Sequence, residues 1–270
     1  MKRLVVLLDF SIYSSPLLQM AYQWKEHFGM GLVFINRVPG LVPAIADEKT
    51  RTQVIKHEKE DAKKNFLKIL DKNDLTQGEG IFLAIDNPLI PFLKTYLQPD
   101  DILLLGLKGT GFLKKYLIGS TATEIINQLN NLVIGVPKNI DRNIPKKLVL
   151  ACHPKYPVNE NSLKQLLGAI GNNLEELELL TIINQKSEEE ESTSYLQKLS
   201  HGLNEQLPKK FNIYLGKDAF SEIKSKYRNQ QEIFIVLQKG SRNLNDQLFR
   251  KLFINDLIHD GNTPLIILPS

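Results

Sequence analysis

The sequence predicts an α/β protein of two tandem domains, each a doubly wound parallel sheet of five strands. Short apolar runs alternate with amphipathic segments along the 270 residues, as strands and crossover helices do. The first and last segments of the first half also recur in the second half, residues 2–6 at 145–150 and residues 131–137 at 263–269. A repeat of half the chain indicates duplication of a whole domain rather than a solenoid.

The two domains are predicted at residues 1–140 and 146–270. The segment that connects them, residues 138–147, includes Asp141-Arg142-Asn143 and Pro145, a composition typical of linkers. A chain of this length suits two domains of ordinary size.

Five strands and four helices are predicted in the first half. In the first helix, Leu17, Ala21, Trp24 and Phe28 fall on one face, and Gly29 ends the pattern. The predicted strands cover residues 4–8, 32–35, 81–85, 102–105 and 132–136, and the helices cover residues 15–28, 47–72, 87–96 and the segment after residue 119.

The second half repeats this order of elements. A polar segment at residues 184–191 contains four consecutive glutamates and is predicted as a loop. The predicted strands cover residues 148–150, 177–183, 211–215, 233–237 and 265–268, and the helices cover residues 163–170, 195–203, 219–227 and 244–259.

The stretch from Leu103 to Pro137 holds the main functional signal. An apolar strand ends in a glycine-rich loop, and Gly119 is followed by Ser120 and Thr121 where a helix begins. Glycine lets the backbone approach a ligand closely. Free N–H groups and the helix dipole favour an anion at a helix start, where hydroxyl groups cap the helix or bind a phosphate oxygen. This order indicates a phosphate site; the alternative is a strand-turn-helix whose glycines serve only turns.

Two commoner phosphate loops do not fit this stretch. Gly106 and Gly111 have the spacing that opens a Walker A motif, but Phe112-Leu113 stands where Lys followed by Ser or Thr is needed. Gly109 and Gly111 open like a dinucleotide fingerprint, but Lys114 stands where the third glycine belongs.

The pattern that fits is G-x2-G-x9-G-[ST], at Gly106, Gly109, Gly119 and Ser120. It resembles the nucleotide-binding signature of the universal stress protein family, and the duplicated chain is similar to the tandem form of that family. The resemblance implies an adenine nucleotide alpha hydrolase-like fold. It also implies a non-enzymatic stress-response or signalling module that binds ATP, or AMP or ADP, through these residues and Thr121. The resemblance is also compatible with a magnesium ion bound to the phosphates of the nucleotide.

Three further positions are similar to the family pattern. Leu8-Asp9 looks like the end of the family's first strand, which implies that Asp9 lies beside the adenine. Val38-Pro39 looks like the end of its second strand, which implies that the backbone of Val38 contacts the base. Asn87-Pro88 stands where the family usually has Gly or Asp before Pro. The residue type alone leaves open that Asp9 serves a turn or caps a helix.

The second half departs from the pattern at the residues that would bind the nucleotide. When Pro269 is aligned with Pro137, the first half's Gly106, Gly109, Gly119, Ser120 and Asp9 correspond to Gln238, Ser241, Lys251, Leu252 and His153. Lys and Leu at a helix start cannot replace an anion nest made by glycine and serine. We therefore expect the second half to have lost nucleotide binding or to bind something different.

The last strand of each half, Leu132–Val136 and Leu265–Leu268, is strongly apolar and would form a sheet edge. Apolar edges are paired or covered in folded proteins. The resemblance implies that these strands pair as they do across a dimer, so an intramolecular pseudo-dimer is predicted. Association of two chains into a further homodimer stays open.

The composition, 42% hydrophobic and 24% charged, is that of a soluble globular protein. The net charge of +4 is mild, and lysines and arginines are spread among acids, so we expect no nucleic-acid partner and no membrane partner. The single cysteine, Cys152, excludes an internal disulfide and suits the cytoplasm. Two alternative functions stay open: a slow ATPase and a nucleotide-free dimerisation scaffold.

Overall fold

The computed structural model describes residues 2–41, 46–107, 120–140, 143–170, 173–203, 207–216, 225–227, 232–240 and 263–270. In these residues, ten strands form one continuous sheet with helices on both faces. Each half of the chain supplies five of the strands, as the sequence predicts.

The predicted elements of the first half are confirmed. The first helix begins at Ser14, and Gly29 ends it with a φ of 63° while its N–H donates to the carbonyl of Lys25 at 2.8 Å. The strands are β1 (Arg3–Leu8), β2 (Gly31–Arg37), β3 (Ile81–Ile85), β4 (Ile102–Gly106) and β5 (Leu132–Val136), and the helices are α1 (Ser14–Phe28), α2 (Glu48–Lys72), α3 (Leu89–Tyr96) and α4 (Ser120–Gln128).

The second half follows the same order. Residues 225–227 are helical; the rest of the predicted helix at 219–227, and all of the one at 244–259, lie outside the described residues. The strands are β6 (Lys147–Ala151), β7 (Glu176–Ile183), β8 (Lys209–Leu215), β9 (Ile233–Gln238) and β10 (Leu265–Leu268), and the helices are α5 (Glu160–Ile170) and α6 (Glu189–His201).

The prediction of a polar loop at residues 184–191 is wrong in its second part. A 3-10 turn spans Lys186–Glu188, and α6 begins at Glu189. The carboxylate of Glu188 accepts the N–H groups of Asn184 and Gln185 at 2.8 and 3.3 Å, which caps the turn. The glutamates after it form the first turn of α6, where the helix dipole favours negative charge.

The strands follow the order β3-β2-β1-β4-β5-β10-β9-β6-β7-β8. Strands are parallel within each half, and the two halves meet where β5 pairs antiparallel with β10, with Ile134 opposite Ile266. The predicted intramolecular pseudo-dimer, joined through the last strands, is therefore confirmed.

Both faces of the sheet are apolar and continuous across the two halves. Helices α1, α2, α5 and α6 pack on one face, and α3 and α4 pack on the other. Trp24 of α1 joins the halves: its buried indole donates a hydrogen bond of 2.6 Å to the carbonyl of Asn143 and stacks on Phe234 of β9.

Candidate functional site: the crevice of the first half

A cavity of 440 Å³ opens beyond the carboxyl ends of β1, β2 and β4. In the first half, β1 lies between β2 and β4, so the strand order reverses at this point. Open α/β sheets bind ligands at such a crevice. The first residues of α3 and α4 also line the cavity.

Asp9 follows β1 and lines this cavity with an exposed side chain. Its Oδ1 accepts the N–H of Ser11 at 3.0 Å, the kind of turn that aspartate stabilises. Phe10 between them has a φ of 55°, which residues other than glycine seldom adopt. Asp9 therefore serves the tight turn from β1 to α1, the alternative that its residue type left open, and also lines the crevice.

Gly106 ends β4 directly against Tyr13, the residue before α1. A Cβ atom at Gly106 would lie 2.9 Å from both Cβ and Cγ of Tyr13, closer than carbon atoms pack, so the position requires glycine. Burial, with a smaller contribution from the charge of Asp9, raises the pKa of the Tyr13 phenol. The phenol is therefore neutral at pH 7 and lines the cavity as a hydrogen-bonding group.

Ser120 and Thr121 are the first two residues of α4, and both line the cavity. Their side chains are exposed, so their hydroxyl groups are accessible to a ligand. The unpaired N–H groups of a helix's first turn and the helix dipole both favour an anion here. The side chains of Ala122 and Ile125 are buried and anchor the helix to the sheet, which fixes the direction of its first turn.

Sequence reasoning missed two polar residues at the end of β2. Asn36 is buried, and its Nδ2 donates to the carbonyl of Leu8 at 2.8 Å, so it ties β2 to β1 at the cavity. Arg37 is exposed and supplies a positive charge to the lining. Two polar residues directly after a run of apolar residues are the sequence signal that could have indicated Asn36 and Arg37 as lining residues.

The structure brings together four of the seven residues predicted for the site. Val38 is buried and is not among the residues that line the cavity, and its N–H donates to the carbonyl of Ile85 at 2.8 Å. Asp9, Gly106, Ser120 and Thr121 line the cavity. Gly109 and Gly119 lie outside the described residues.

The end of β9 in the second half is equivalent in backbone position to the end of β4 in the first half. Gly106 pairs with Val136 in the first half, and Gln238 pairs with Leu268 in the second. The predicted correspondence of Gly106 with Gln238 is therefore confirmed by the register of the strands.

The buried amide of Gln238 bonds to protein groups at this position. Its Nε2 donates to the carbonyl of Pro269 at 2.8 Å, and its Oε1 accepts the N–H of Asn159 at 2.9 Å. Asn159 in turn accepts the N–H of Ser162 at 3.0 Å through its Oδ1 and so caps α5. The side chain thus joins the start of α5 to the end of β10 where the first half has a glycine.

Cys152 and His153 directly follow β6. His153 Nδ1 accepts the N–H of Lys155 at 3.2 Å within a short turn. Cys152 is buried, and burial raises the pKa of its thiol to about 12, so the thiolate is scarce at pH 7.

No protein-family model and no curated protein matches the sequence. Among solved structures, the chain is similar to a universal stress protein from Archaeoglobus fulgidus DSM 4304, with a TM-score of 0.65 and 13% identity over 99% of this chain and 98% of that one. It is similar to a candidate universal stress protein from Pseudomonas aeruginosa UCBPP-PA14, with a TM-score of 0.54 and 11% identity over 99% of this chain and 92% of that one. It is also similar to the cytoplasmic domain of a prokaryotic cation chloride cotransporter, with a TM-score of 0.51 and 12% identity over 100% of this chain and 95% of that one.

The topology and the crevice define a doubly wound α/β protein with two fused, pseudo-symmetric halves. More particularly, the chain has the tandem universal stress protein fold, as its sequence resemblance implies. Because the fold also occurs in a transporter's cytoplasmic domain, function has to be argued from the site.

Two classes of feature were not found in the part of the chain that the structure describes. None of its helices there is long and apolar enough to cross a bilayer. No group of three or more His, Cys, Asp or Glu side chains is placed there to hold a metal ion.

Proposed function

We propose that the first half binds one adenine nucleotide, ATP or else AMP or ADP, as a stress-response or signalling module. The start of α4 supports this proposal most strongly. Ser120 and Thr121 present hydroxyl groups and a helix N-terminus to a cavity at the sheet's switch point. The cavity volume falls within the roughly 300–1,000 Å³ that is usual for small-molecule sites.

The rest of the lining suits the other parts of a nucleotide. Ile35, Leu89 and Ile90 supply apolar surface for a base, and Asp9 and Arg37 supply polar groups. Gly109 and Gly119 complete the proposed phosphate loop, and a magnesium ion would accompany the phosphates. The proposal is for binding without turnover, and it includes the cytoplasmic location expected from the single cysteine.

The test is nucleotide binding by the full-length chain. Acid extraction followed by chromatography would identify any nucleotide carried through purification, and calorimetry would compare ATP with GTP. The double variant Ser120→Ala/Thr121→Ala should weaken ATP binding at least tenfold, because hydrogen bonds to charged oxygens contribute about 1.5–3 kcal/mol each. Thr193→Ala, an exposed hydroxyl on α6, is the matched control. A full-length chain that binds no nucleotide would instead favour the scaffold function, and release of phosphate from labelled ATP would favour the slow ATPase.

A further inference from the structure

The ten-stranded sheet ends in two edge strands, β3 in the first half and β8 in the second. An edge strand exposes unpaired backbone groups, which other chains can use for strand pairing. A groove of 480 Å³ runs along the β3 edge.

The groove has a floor and two different walls. Residues 82–85 of β3 form the floor. Lys59 and Lys63 of α2 line one wall, and Phe92 and Tyr96 of α3, whose rings stack with centroids 5.3 Å apart, line the other. One wall is therefore basic and the other aromatic, with the open strand edge between them.

The backbone of β3 offers hydrogen bonds to this groove. The carbonyl of Ile85 accepts the N–H of Val38, so Ile85 directs its backbone groups inward, toward β2. Backbone groups alternate in direction along a strand, so Phe82 and Ala84 direct theirs outward, to the open edge. Two donors and two acceptors are thus placed where an added strand would pair.

The charge beside this edge is positive. Lys56 of α2 lines a neighbouring groove of 590 Å³, which Lys59 and Lys63 also line. The Nζ of Lys59 forms an ion pair of 2.5 Å with Asp86, whereas Lys56 and Lys63 have no ion pair with any residue that the structure describes. The residues that line the two grooves include three lysines, Lys56, Lys59 and Lys63, and two acidic residues, Glu60 and Asp86.

We propose that the open edge of β3 docks an extended acidic peptide segment of a partner protein, which adds to the sheet as a further strand between α2 and α3. Side chains of an added strand alternate between the two walls. Acidic side chains would face Lys59 and Lys63, and apolar side chains would face Phe92 and Tyr96. The peptide is therefore one in which acidic and apolar residues alternate, bound by strand addition.

The same charges disfavour a second copy of this chain as the occupant. Pairing of β3 with β3 of a second copy would bring Lys59 and Lys63 close to the same lysines of that copy. Pairing of β3 with β8 would bring them near Lys209 and Lys210 of that strand. Like charges brought close together are destabilising, and lysines beside an open edge disfavour such self-pairing.

Fluorescence anisotropy of the full-length chain with a labelled DVEVDVEV peptide tests this proposal. We expect saturable binding that weakens as salt is raised, and at least tenfold weaker binding of a labelled KVKVKVKV peptide. Lys56→Glu/Lys63→Glu should weaken binding of the acidic peptide at least tenfold. Lys68→Glu, an exposed residue of α2 outside both grooves, should leave it unchanged. No binding, equal binding of both peptides, or equal loss in Lys68→Glu would overturn the proposal.

Ala84→Pro separates strand addition from charge attraction alone. It removes an N–H that points to the open edge, and edge strands tolerate proline at such a position. With a melting temperature close to wild type, this variant should bind the acidic peptide at least fivefold more weakly. Unchanged binding would overturn the docking mode, and so would sedimentation of the wild type as a dimer that the acidic peptide fails to dissociate.

Discussion

Gln238 in β9 occupies the position that Gly106 occupies in β4. Gly106 has no side chain, and the space beyond it is shared by Tyr13 and the 440 Å³ cavity. The amide of Gln238 bonds instead to Asn159 and Pro269. Glycine at this position thus leaves the first half's cavity lined by a small residue. Glutamine at the equivalent position of the second half bonds to other groups of the protein.

This difference predicts that ATP protects only the first half from hydrogen exchange. In the full-length chain at saturating ATP, slower exchange is expected in the segments around Asp9 and Ser120, and unchanged exchange around Asn159 and Gln238. Ligand at 100 times its dissociation constant adds about 2.7 kcal/mol of stability, so the slowing should be readily measured by mass spectrometry. Equal protection in both halves would contradict the asymmetry.

The fit of Gly106 against Tyr13 predicts that Gly106→Ala is destabilising. The added methyl group would overlap the Tyr13 ring, and overpacking of this kind costs about 1–3 kcal/mol. Gly168→Ala in α5 is the matched control, because its Cβ would meet only Lys2 Nζ, at 4.0 Å. That change should stabilise the protein by roughly 0.5–1 kcal/mol. Urea denaturation gives both values, and a stable Gly106→Ala protein would mean that the Tyr13 contact is not tight.

Much of the fold could be predicted because its signals are local or repeated. The apolar runs predict the strands. Gln238 precedes Pro269 by as many residues as Gly106 precedes Pro137, and this spacing alone aligns the two positions. The apolar character of Leu265–Leu268 and of Leu132–Val136, together with the family resemblance, predicted their pairing, because exposed apolar edges need a partner.

The missed features depend on partners far away in the chain. The role of Asn36 follows from its bond to Leu8, which exists only once β2 lies beside β1. The position of Val38 beside β3 follows from its hydrogen bond to Ile85 of that strand. The burial of Glu178 had no sequence signal, since its alternation with Glu176 in β7 is equally typical of a solvent-facing side chain.

Trp24, the only tryptophan of the chain, predicts cooperative unfolding of the two halves. Its indole belongs to α1 but contacts Asn143 and Phe234 beyond the first half. Trp24→Phe should cost about 1–3 kcal/mol, because the carbonyl of Asn143 loses a buried donor. In the wild type, unfolding followed by tryptophan fluorescence and by far-ultraviolet circular dichroism should give one midpoint. Two separate midpoints would show that the halves unfold independently.

Substitutions at Gly135 and Leu107, beside the β5–β10 pairing that joins the two halves, are predicted to be energetically coupled. Gly135 lies in β5 opposite Leu265, and a Cβ there would approach Cγ of the buried Leu107 to 2.6 Å. Gly135→Ala should cost about 1–3 kcal/mol in the wild type and clearly less in a Leu107→Ala background, where space is free. Chemical denaturation of the four proteins measures this coupling, and additive losses would rule it out.

Glu178 of β7 is fully buried among cationic and polar groups of the second half. Its carboxylate accepts hydrogen bonds from Lys226, Tyr227 and Asn212, and it forms an ion pair of 2.6 Å with Lys147. Burial alone would raise the pKa of Glu178, but the hydrogen bonds from Lys147, Lys226 and Tyr227 outweigh burial and lower that pKa below its ordinary 4.5.

The lowered pKa predicts how stability depends on pH and on this residue. A carboxyl group whose pKa is depressed by folding stabilises the protein above pH 4.5, and that contribution is lost as the pH falls through the folded-state value. Glu178→Gln should cost about 1–3 kcal/mol at pH 7, because Lys226 loses its carboxylate partner while Lys147 keeps Glu176 at 2.6 Å. The variant's stability should also fall less steeply between pH 5 and about pH 3 than that of the wild type. Glu188→Gln removes a half-buried carboxylate that bonds to backbone N–H groups and to Lys155 and whose pKa is also lowered, so it should change the stability and its pH dependence in the same direction but by less. Urea titrations of the three proteins across this pH range measure the difference, and an equal acid dependence of Glu178→Gln and wild type would show that the buried network does not govern it.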